Sequence, residues 1–276
     1  MKERRHTYII AILFVTGILL LLYPTVSNYV YSRNSARVIS FYTKDVSEMK
    51  NETYNQKWNA ALEYNRTVAY GENYYLTDKQ LSQYKNTLNF CNTGIIGSIE
   101  ILKINCSLPI YHGTGESALQ MGVGHVEWTS LPTGEDNTHC VLSGHRGLPR
   151  AKLFTDLDKL EIGDTFVLHV LNKKMTYEIE QIQVVKPTDI SALKIENGRD
   201  LCTLVTCTPY GVNSHRLLLK GHRIENAADI SETSKEVKIS PIFTVVLIIL
   251  LIVSVVRFWR KFRKKSTGGG VCENNL

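Results

Sequence analysis

The chain has 276 residues, enough for one domain with a well-formed core plus flanking segments. Its formal charge is +6, but nine of the 32 Lys and Arg residues and only two of the 26 acidic residues lie in segments 1–7 and 257–276. The remaining 23 basic and 24 acidic residues leave the central part nearly neutral. This distribution argues against nucleic-acid binding and indicates membrane topology instead.

Two apolar segments, 8–26 and 239–256, flank the central part, and each approaches the ~20 apolar residues that a spanning helix needs. Basic residues precede the first and follow the second, and basic flanks stay in the cytoplasm. We therefore predict a cell-membrane protein with two transmembrane helices. Both termini, 1–7 and 257–276, would be cytoplasmic and the central part would be outside. A cleaved signal peptide is the alternative for the first segment, but no small-x-small cleavage site follows it.

Residues 27–94 are predicted to form a helical extension with a lid region. Apolar residues recur at helical spacing from 34 to about 70, which favours a packing helix or a stalk, with a loosely structured linker as the alternative. Residues 71–94 are polar and rich in tyrosine without a clear period. They predict a mobile connecting segment.

Residues 95–230 contain short apolar segments that are typical of strands. Many such segments at near-regular spacing predict a mainly β fold, either a closed barrel or a sandwich. A polar linker, 231–238, leads to the second apolar segment. The predicted strands cover 99–104, 138–143, 164–171, 175–180, 201–206 and 217–219, with a hairpin turn at Asn172–Lys173 and a short helical turn at 153–160.

Cys207 ends an apolar strand. The turn that follows contains Pro209 and Gly211, which place the thiol at a rim, with the partial exposure that reactive thiols need. The alternative, a buried structural cysteine, is our interpretation of Cys202 in mid-strand. The spacings of the cysteines match no zinc site, and we predict no metal and no cofactor. The sequence does not decide whether a disulfide forms among four of the cysteines: Cys91, Cys106, Cys140 and Cys202.

His145 lies in a glycine-flanked turn after a strand, and Arg216 opens the last strand, nine residues after Cys207. A histidine near a thiol can share its proton and later protonate a leaving amine. A guanidinium beside a tetrahedral intermediate stabilises the oxyanion, and the amide of Thr208 could be a second donor. Taken singly, His145 could be a surface-loop histidine and Arg216 an ion-pair residue.

A His–Cys–Arg set in this order resembles the sortases, membrane-bound cysteine transpeptidases of Gram-positive bacteria. The resemblance covers roughly 99–224 and is carried by TLVTC at Thr203–Cys207 and SGHRGLP at Ser143–Pro149. The stretch Thr208–Arg216 and the second apolar segment are similar to class C, the pilin-polymerising branch. The resemblance implies a closed eight-stranded sortase-type β-barrel with short helices.

The resemblance also implies a reaction. Cys207 would attack the Thr–Gly bond of an LPXTG-like sorting signal and form a thioester, His145 would protonate the departing amine, and Arg216 would hold the oxyanion. A lysine amine of the next pilin subunit would then resolve the thioester. Anchoring of surface proteins to cell-wall peptide amines is the alternative reaction. A non-catalytic membrane scaffold for pilin assembly is the alternative from another class.

Substrate specificity is expected in two loops, 187–199 and 208–215. Many class C enzymes carry a lid with an Asp-Pro-aromatic motif, but 74–92 contains no proline, so the usual lid anchor is absent. Apolar residues of the first loop could hold the leucine and proline of the signal or could be ordinary loop packing. The predicted substrate-binding residues are Ile190, Ala192, Leu193, Ile195 and Thr206.

Overall fold

The computed structural model describes residues 2–69, 75–89 and 93–225. Eight strands form a closed barrel in the hydrogen-bonded order β1-β2-β3-β4-β7-β8-β6-β5, which confirms the predicted barrel. The strands are β1 (Ile95–Ile101), β2 (Cys106–His112), β3 (Val123–His125), β4 (Thr138–Ser143), β5 (Thr165–Val170), β6 (Lys173–Val185), β7 (Asp200–Thr208) and β8 (His215–Ile224).

Two neighbouring pairs in the barrel are parallel, β2 with β3 and β4 with β7, and the other pairs are antiparallel. Strands β5 and β6 form the predicted hairpin, but its turn is Leu171–Asn172, one residue earlier than predicted, and Leu171 takes a left-handed conformation with φ 53°. Because β4 and β7 are parallel, their carboxyl ends meet at the same rim of the barrel. The loops that follow them therefore start side by side.

Among the six predicted strands, only 138–143 has the observed bounds, and each end of the other five is off by one to five residues. Strand β1 ends at Ile101, and Leu102–Ile104 form a 3-10 turn, so the alternation in 99–104 overran the strand. Strands β2 and β3 were not among the predicted strands. The sequence pattern did not predict them because β3, with three residues, is too short to show a period of two, and Pro109 interrupts the pattern of β2.

Within the described residues, four α-helices accompany the barrel: α1 (Lys2–Ser47), α2 (Asn51–Ala69), α3 (Asp78–Asn86) and α4 (Glu116–Met121). Over Ile12–Ser47, α1 is long and apolar enough to cross a membrane. Its large side chains around Leu13 and Leu20 are exposed. The predicted second transmembrane helix, its linker and the basic tail lie outside the described residues.

The helical extension is part of the core. The Tyr42 hydroxyl donates to the Ile96 carbonyl at 2.7 Å and accepts from the Leu171 amide at 2.9 Å. The Asn65 side chain bonds to both backbone groups of Leu131, at 2.9 and 2.7 Å. Hydrogen bonds at buried positions hold an element in one place, because leaving such groups unpaired is costly. The packing-helix interpretation is confirmed and the linker alternative is wrong, although α1 and α2 are two helices separated at 48–50.

The expected mobile connection at 71–94 is wrong for its central part, where α3 forms. Thr77 caps α3 in a reciprocal capping box with Gln80, a local signal present in the sequence. Tyr84 fixes α3 to the barrel, since its buried hydroxyl donates to the His125 carbonyl at 3.2 Å and accepts from the Gly113 amide at 2.8 Å. Residues 70–74 and 90–92 lie outside the described residues.

Candidate active site

Three adjacent strands bring His145, Cys207 and Arg216 to one rim. In the antiparallel β7–β8 pair, Cys207 is directly opposite Arg216. In the parallel β4–β7 pair, Ser143 is opposite Val205, and two residues further along each chain lie His145 and Cys207. Because neighbouring strands are ~4.8 Å apart, the three residues form a row across the rim, with the cysteine in the middle.

The backbone around His145 is held on both sides. The Gly144 amide donates to the Val205 carbonyl at 3.0 Å, and the Phe154 amide donates to the His145 carbonyl at 3.1 Å. A Cβ on Gly144 would lie 2.6 Å from a ring carbon of Phe154, so glycine permits this close packing. The turn after β4 therefore sets the position of the imidazole.

Thr206, on the neighbouring strand β7, also holds the turn after β4. Its side chain is 1% exposed, and its hydroxyl donates to the Gly144 carbonyl at 2.8 Å. The Thr206 side chain thus contacts the loop that carries His145, and its predicted role in substrate binding stays a prediction. Because strand side chains alternate, Cys207 and Thr206 point to opposite faces.

The predicted nucleophile is the half-buried thiol of Cys207. The interpretation of Cys202 as a core residue is confirmed, because it is 0% exposed. It lies directly opposite Cys140 in the β4–β7 pair, and Cys106 is also buried. These four cysteines are free thiols, so the structure contains no disulfide among them, and Cys91 lies outside the described residues.

Arg216 and Arg146 occupy opposite sides of Cys207. The Nη1 of Arg216 donates to the carbonyls of Asn213 and His215, at 3.3 and 3.1 Å, within its own loop. Arg146 pairs with Asp158, as expected for an ordinary ion-pair residue. It also lies over the ring of Tyr210, 5.9 Å from its centroid, and its Nη1 is 3.4 Å from the Thr208 hydroxyl. These contacts tie the loop after β7 to the loop after β4.

The loop between β6 and β7 is anchored by His139. Its Nδ1 donates to the Lys194 carbonyl at 2.8 Å, and its Nε2 accepts from the Thr203 hydroxyl at 2.7 Å. Burial lowers the pKa of His139, which keeps the ring neutral and able to make both bonds. His139 is thus a buried polar residue with both ring nitrogens hydrogen-bonded. The predicted substrate-binding residues of the loop are half-buried: Ile190, Ala192, Leu193 and Ile195.

The apolar helix α1 also reaches the histidine loop. The Ser27 hydroxyl donates to the Arg150 carbonyl at 3.1 Å, and the Lys152 amide donates to the side-chain oxygen of Asn28 at 2.9 Å. Both contacts lie directly after the end of the apolar run of α1. The loop that carries His145 is thus fixed to the helix as well as to the barrel.

Glu116 is a site residue that sequence reasoning missed. It begins α4, and its Oε2 lies 3.4 Å from Nε2 of His145. The stretch between Gly113 and Gly122 is short and polar, and no spacing in it predicts a contact with a loop about 30 residues later. Only the parallel pairing of β2 with β3 brings α4 to the rim.

Comparison with known proteins identifies the family. Residues 99–224 match the sortase domain family. Sortase D of Bacillus subtilis is 34% identical over 153 residues, which cover 54% of this chain and 74% of that protein. The crystal structure of sortase C1 from Streptococcus agalactiae has a TM-score of 0.67 at 48% identity, covering 69% of this chain and 99% of that chain. The structure of Streptococcus pneumoniae sortase C, described for catalysis and pilin substrate specificity, has a TM-score of 0.61 at 41% identity, covering 68% and 97%. This chain therefore belongs to the sortase family of transpeptidases.

Proposed function

We propose that this sortase is a class C enzyme that polymerises pilins on the outer face of a cell membrane. The observation that carries the proposal is the placement of Cys207 opposite Arg216 in the β7–β8 pair, with His145 in the loop that follows β4, the other neighbour of β7. Similarity to two sortase C structures, one of them described for pilin substrate specificity, supports the class. The apolar part of α1 supports a membrane anchor, and a second transmembrane helix at 239–256 belongs to the same proposal.

The first half of the reaction forms a thioester. The Cys207 sulfur attacks the carbonyl carbon of the Thr–Gly bond in an LPXTG-like signal, and the C–N bond of that peptide breaks. The proton lost by the thiol passes through His145 to the departing glycine amine, so that the leaving group departs neutral. A partly exposed cysteine at a strand end suits this role, because substrate must reach the sulfur.

Arg216 and the amide of Thr208 stabilise the oxyanion of the tetrahedral intermediate. Arg216 lies directly across the ladder from Cys207. Among the described residues its hydrogen bonds come from Nη1, which leaves Nη2 for the substrate oxygen. Thr208 directly follows the cysteine, so its amide lies close to the attacked carbonyl.

The second half of the reaction transfers the acyl group to a lysine amine of the next pilin subunit. The β6–β7 loop and the loop 209–214 form the walls of the substrate groove. The half-buried apolar residues of the first loop accept the leucine and proline of the signal, and the His139 anchor keeps that wall in place. The amine attacks the thioester carbonyl, the C–S bond breaks and an isopeptide bond forms.

The test is pilin polymerisation in cells and with purified full-length enzyme. Wild type should produce covalent ladders of pilin, and Cys207→Ala should produce none. Cys202→Ala, a core cysteine on the same strand, serves as the matched control and should retain ladders. Ladders that persist in Cys207→Ala would contradict the proposal.

A competition between acceptors separates the alternatives. When the enzyme receives a pilin lysine and a cell-wall peptide amine together, we expect the isopeptide product with the lysine. Transfer to the cell-wall amine alone would identify an anchoring sortase instead. If mass spectrometry finds no acyl adduct on Cys207 with any sorting-signal peptide, the scaffold alternative is correct.

A further inference from the structure

The imidazole of His145 faces a carboxylate that the proposed reaction does not yet use. Its Nε2 is shielded from solvent and, within the described residues, forms no hydrogen bond. Glu116 Oε2 is 3.4 Å from this nitrogen. A proton on Nε2 would therefore point at a carboxylate, and a small shift would turn the contact into a charge-assisted hydrogen bond.

Glu116 is itself held in position. Gln120, one turn further along α4, donates from its side-chain nitrogen to Oε1 of Glu116 at 2.5 Å. Arg150, in the histidine loop, donates to the side-chain oxygen of Gln120. The hydrogen bond from Gln120 is the main cause that lowers the pKa of Glu116, and the nearby His145 adds to it. The carboxylate is thus ionised, with one oxygen occupied and the other turned to the histidine.

An ordinary surface ion pair is the competing explanation, because the Glu116 side chain is 68% exposed and such pairs contribute little to stability. Two features distinguish this contact. The carboxylate meets a solvent-shielded nitrogen of the predicted catalytic base, and the hydrogen-bonded chain through Gln120 and Arg150 returns to the loop that carries that base. The arrangement fixes the ring relative to α4.

We propose that Glu116 is a positioning residue that keeps a proton on Nε2 of His145 and thereby makes Nδ1 the nitrogen that exchanges protons. This inference rests on the proposed function. In acylation, Nδ1 takes the proton of the Cys207 thiol and gives it to the departing amine. The proton on Nε2 stays there, hydrogen-bonded to the Glu116 carboxylate. In deacylation, Nδ1 takes a proton from the attacking amine and returns it to the sulfur. A carboxylate that sets the tautomer of a catalytic histidine is an established way to orient such a base.

The first measurement is the tautomer itself, which does not depend on activity. In full-length enzyme with ¹⁵N-labelled histidine, the neutral ring of His145 should carry its proton on Nε2, with the signal assigned by a His145→Gln variant. Glu116→Ala should give a mixture of tautomers. Glu116→Gln keeps the size of the side chain but presents an amide donor to Nε2, so it should favour the Nδ1–H form.

The second measurement is acyl transfer with a sorting-signal peptide and an amine. Both Glu116 variants should lower kcat by roughly two- to fivefold, the range expected for an ion pair at a largely exposed carboxylate, with KM for the peptide unchanged. Glu135→Gln changes an exposed acid in the β3–β4 connection and should alter neither readout. If Glu116→Ala does not fold, the isosteric Glu116→Gln decides the question.

Two results would overturn the proposal: wild-type kcat in both variants, or a loss of kcat with the tautomer unchanged. A wild-type enzyme that transfers no sorting-signal peptide would instead contradict the proposed function. The tautomer measurement would still decide the role of Glu116 in that case.

Discussion

The hydroxyl of Thr206 donates a 2.8 Å hydrogen bond to the carbonyl of Gly144, the residue that precedes His145. Thr206 itself precedes Cys207. One buried hydrogen bond thus joins the two residues that place the predicted nucleophile and base. The strand ends are held in register at the point where the reaction requires it.

Thr206→Val should therefore affect both stability and rate. The substitution keeps the shape of the side chain but leaves the Gly144 carbonyl without its partner, at a cost of about 1–2 kcal/mol in the free energy of unfolding. Urea denaturation measures this loss. Transpeptidation should fall by more than the loss of folded protein explains. Thr165→Val, at an exposed position of β5, is the control and should change neither quantity measurably.

Gly147→Ala tests the packing of Tyr210 on the histidine loop. Gly147 has φ +78°, and a Cβ there would lie 3.0 Å from the Tyr210 ring. We expect the free energy of unfolding to fall by about 1–2 kcal/mol, the Tyr210 ring to be displaced and acyl transfer to become slower. Gly163→Ala is the control, because Gly163 also has an unfavourable φ of +92° but a Cβ there would have no atom within 4 Å. Equal kinetic effects in the two variants would show that the Tyr210 contact has no part in the site.

Thiol labelling should separate Cys207 from the other described cysteines. In native enzyme, iodoacetamide should modify Cys207 within minutes and leave Cys106, Cys140 and Cys202 intact, because the reagent does not reach buried thiols. Burial raises the pKa of Cys106 to about 12. Peptide mass spectrometry before and after denaturation measures the difference. Native labelling of Cys140 or Cys202 at the rate of Cys207 would mean that the barrel opens.

Asp200 should make stability depend on pH. The residue is 7% exposed, and burial raises the pKa of its carboxyl from 3.8 to about 6. The folded state therefore holds a proton that the unfolded state releases, so this contribution is complete below pH 3.8 and is lost as pH rises through about 6. The full difference is roughly 3 kcal/mol. Asp200→Asn should remove this pH dependence of the free energy of unfolding between pH 4 and 7, and Glu135→Gln, at an exposed acid, should keep it.

The sequence supports prediction of the barrel and of the row of His145, Cys207 and Arg216, because alternation, turn residues and family motifs act over short distances. Strand β7 shows this well, since an apolar run and Pro209 mark its end. Glu116 and Thr206 could not be assigned in the same way. Their partners lie on neighbouring elements that are far away in the sequence, and only the strand order brings them together.

The sequence pattern did not predict helix α3, for a different reason. Its capping box at Thr77 and Gln80 was available in the sequence, but a nine-residue helix with one buried side chain, Tyr84, shows no apolar period. The division of 34–69 into two helices likewise depends on packing, since both α1 and α2 are held by bonds to the barrel, from Tyr42 and Asn65.

The hydrogen bonds that join Ser27 and Asn28 to the histidine loop have a consequence for how substrate arrives. Under the proposed topology, the lipid boundary lies near Val26, so the catalytic rim is held within roughly one or two helical turns of the bilayer surface. A protein tethered in the same bilayer by its own C-terminal segment would meet the thiol by lateral diffusion at constant height. Confinement to that plane raises the local concentration of the tethered signal far above that of a free peptide.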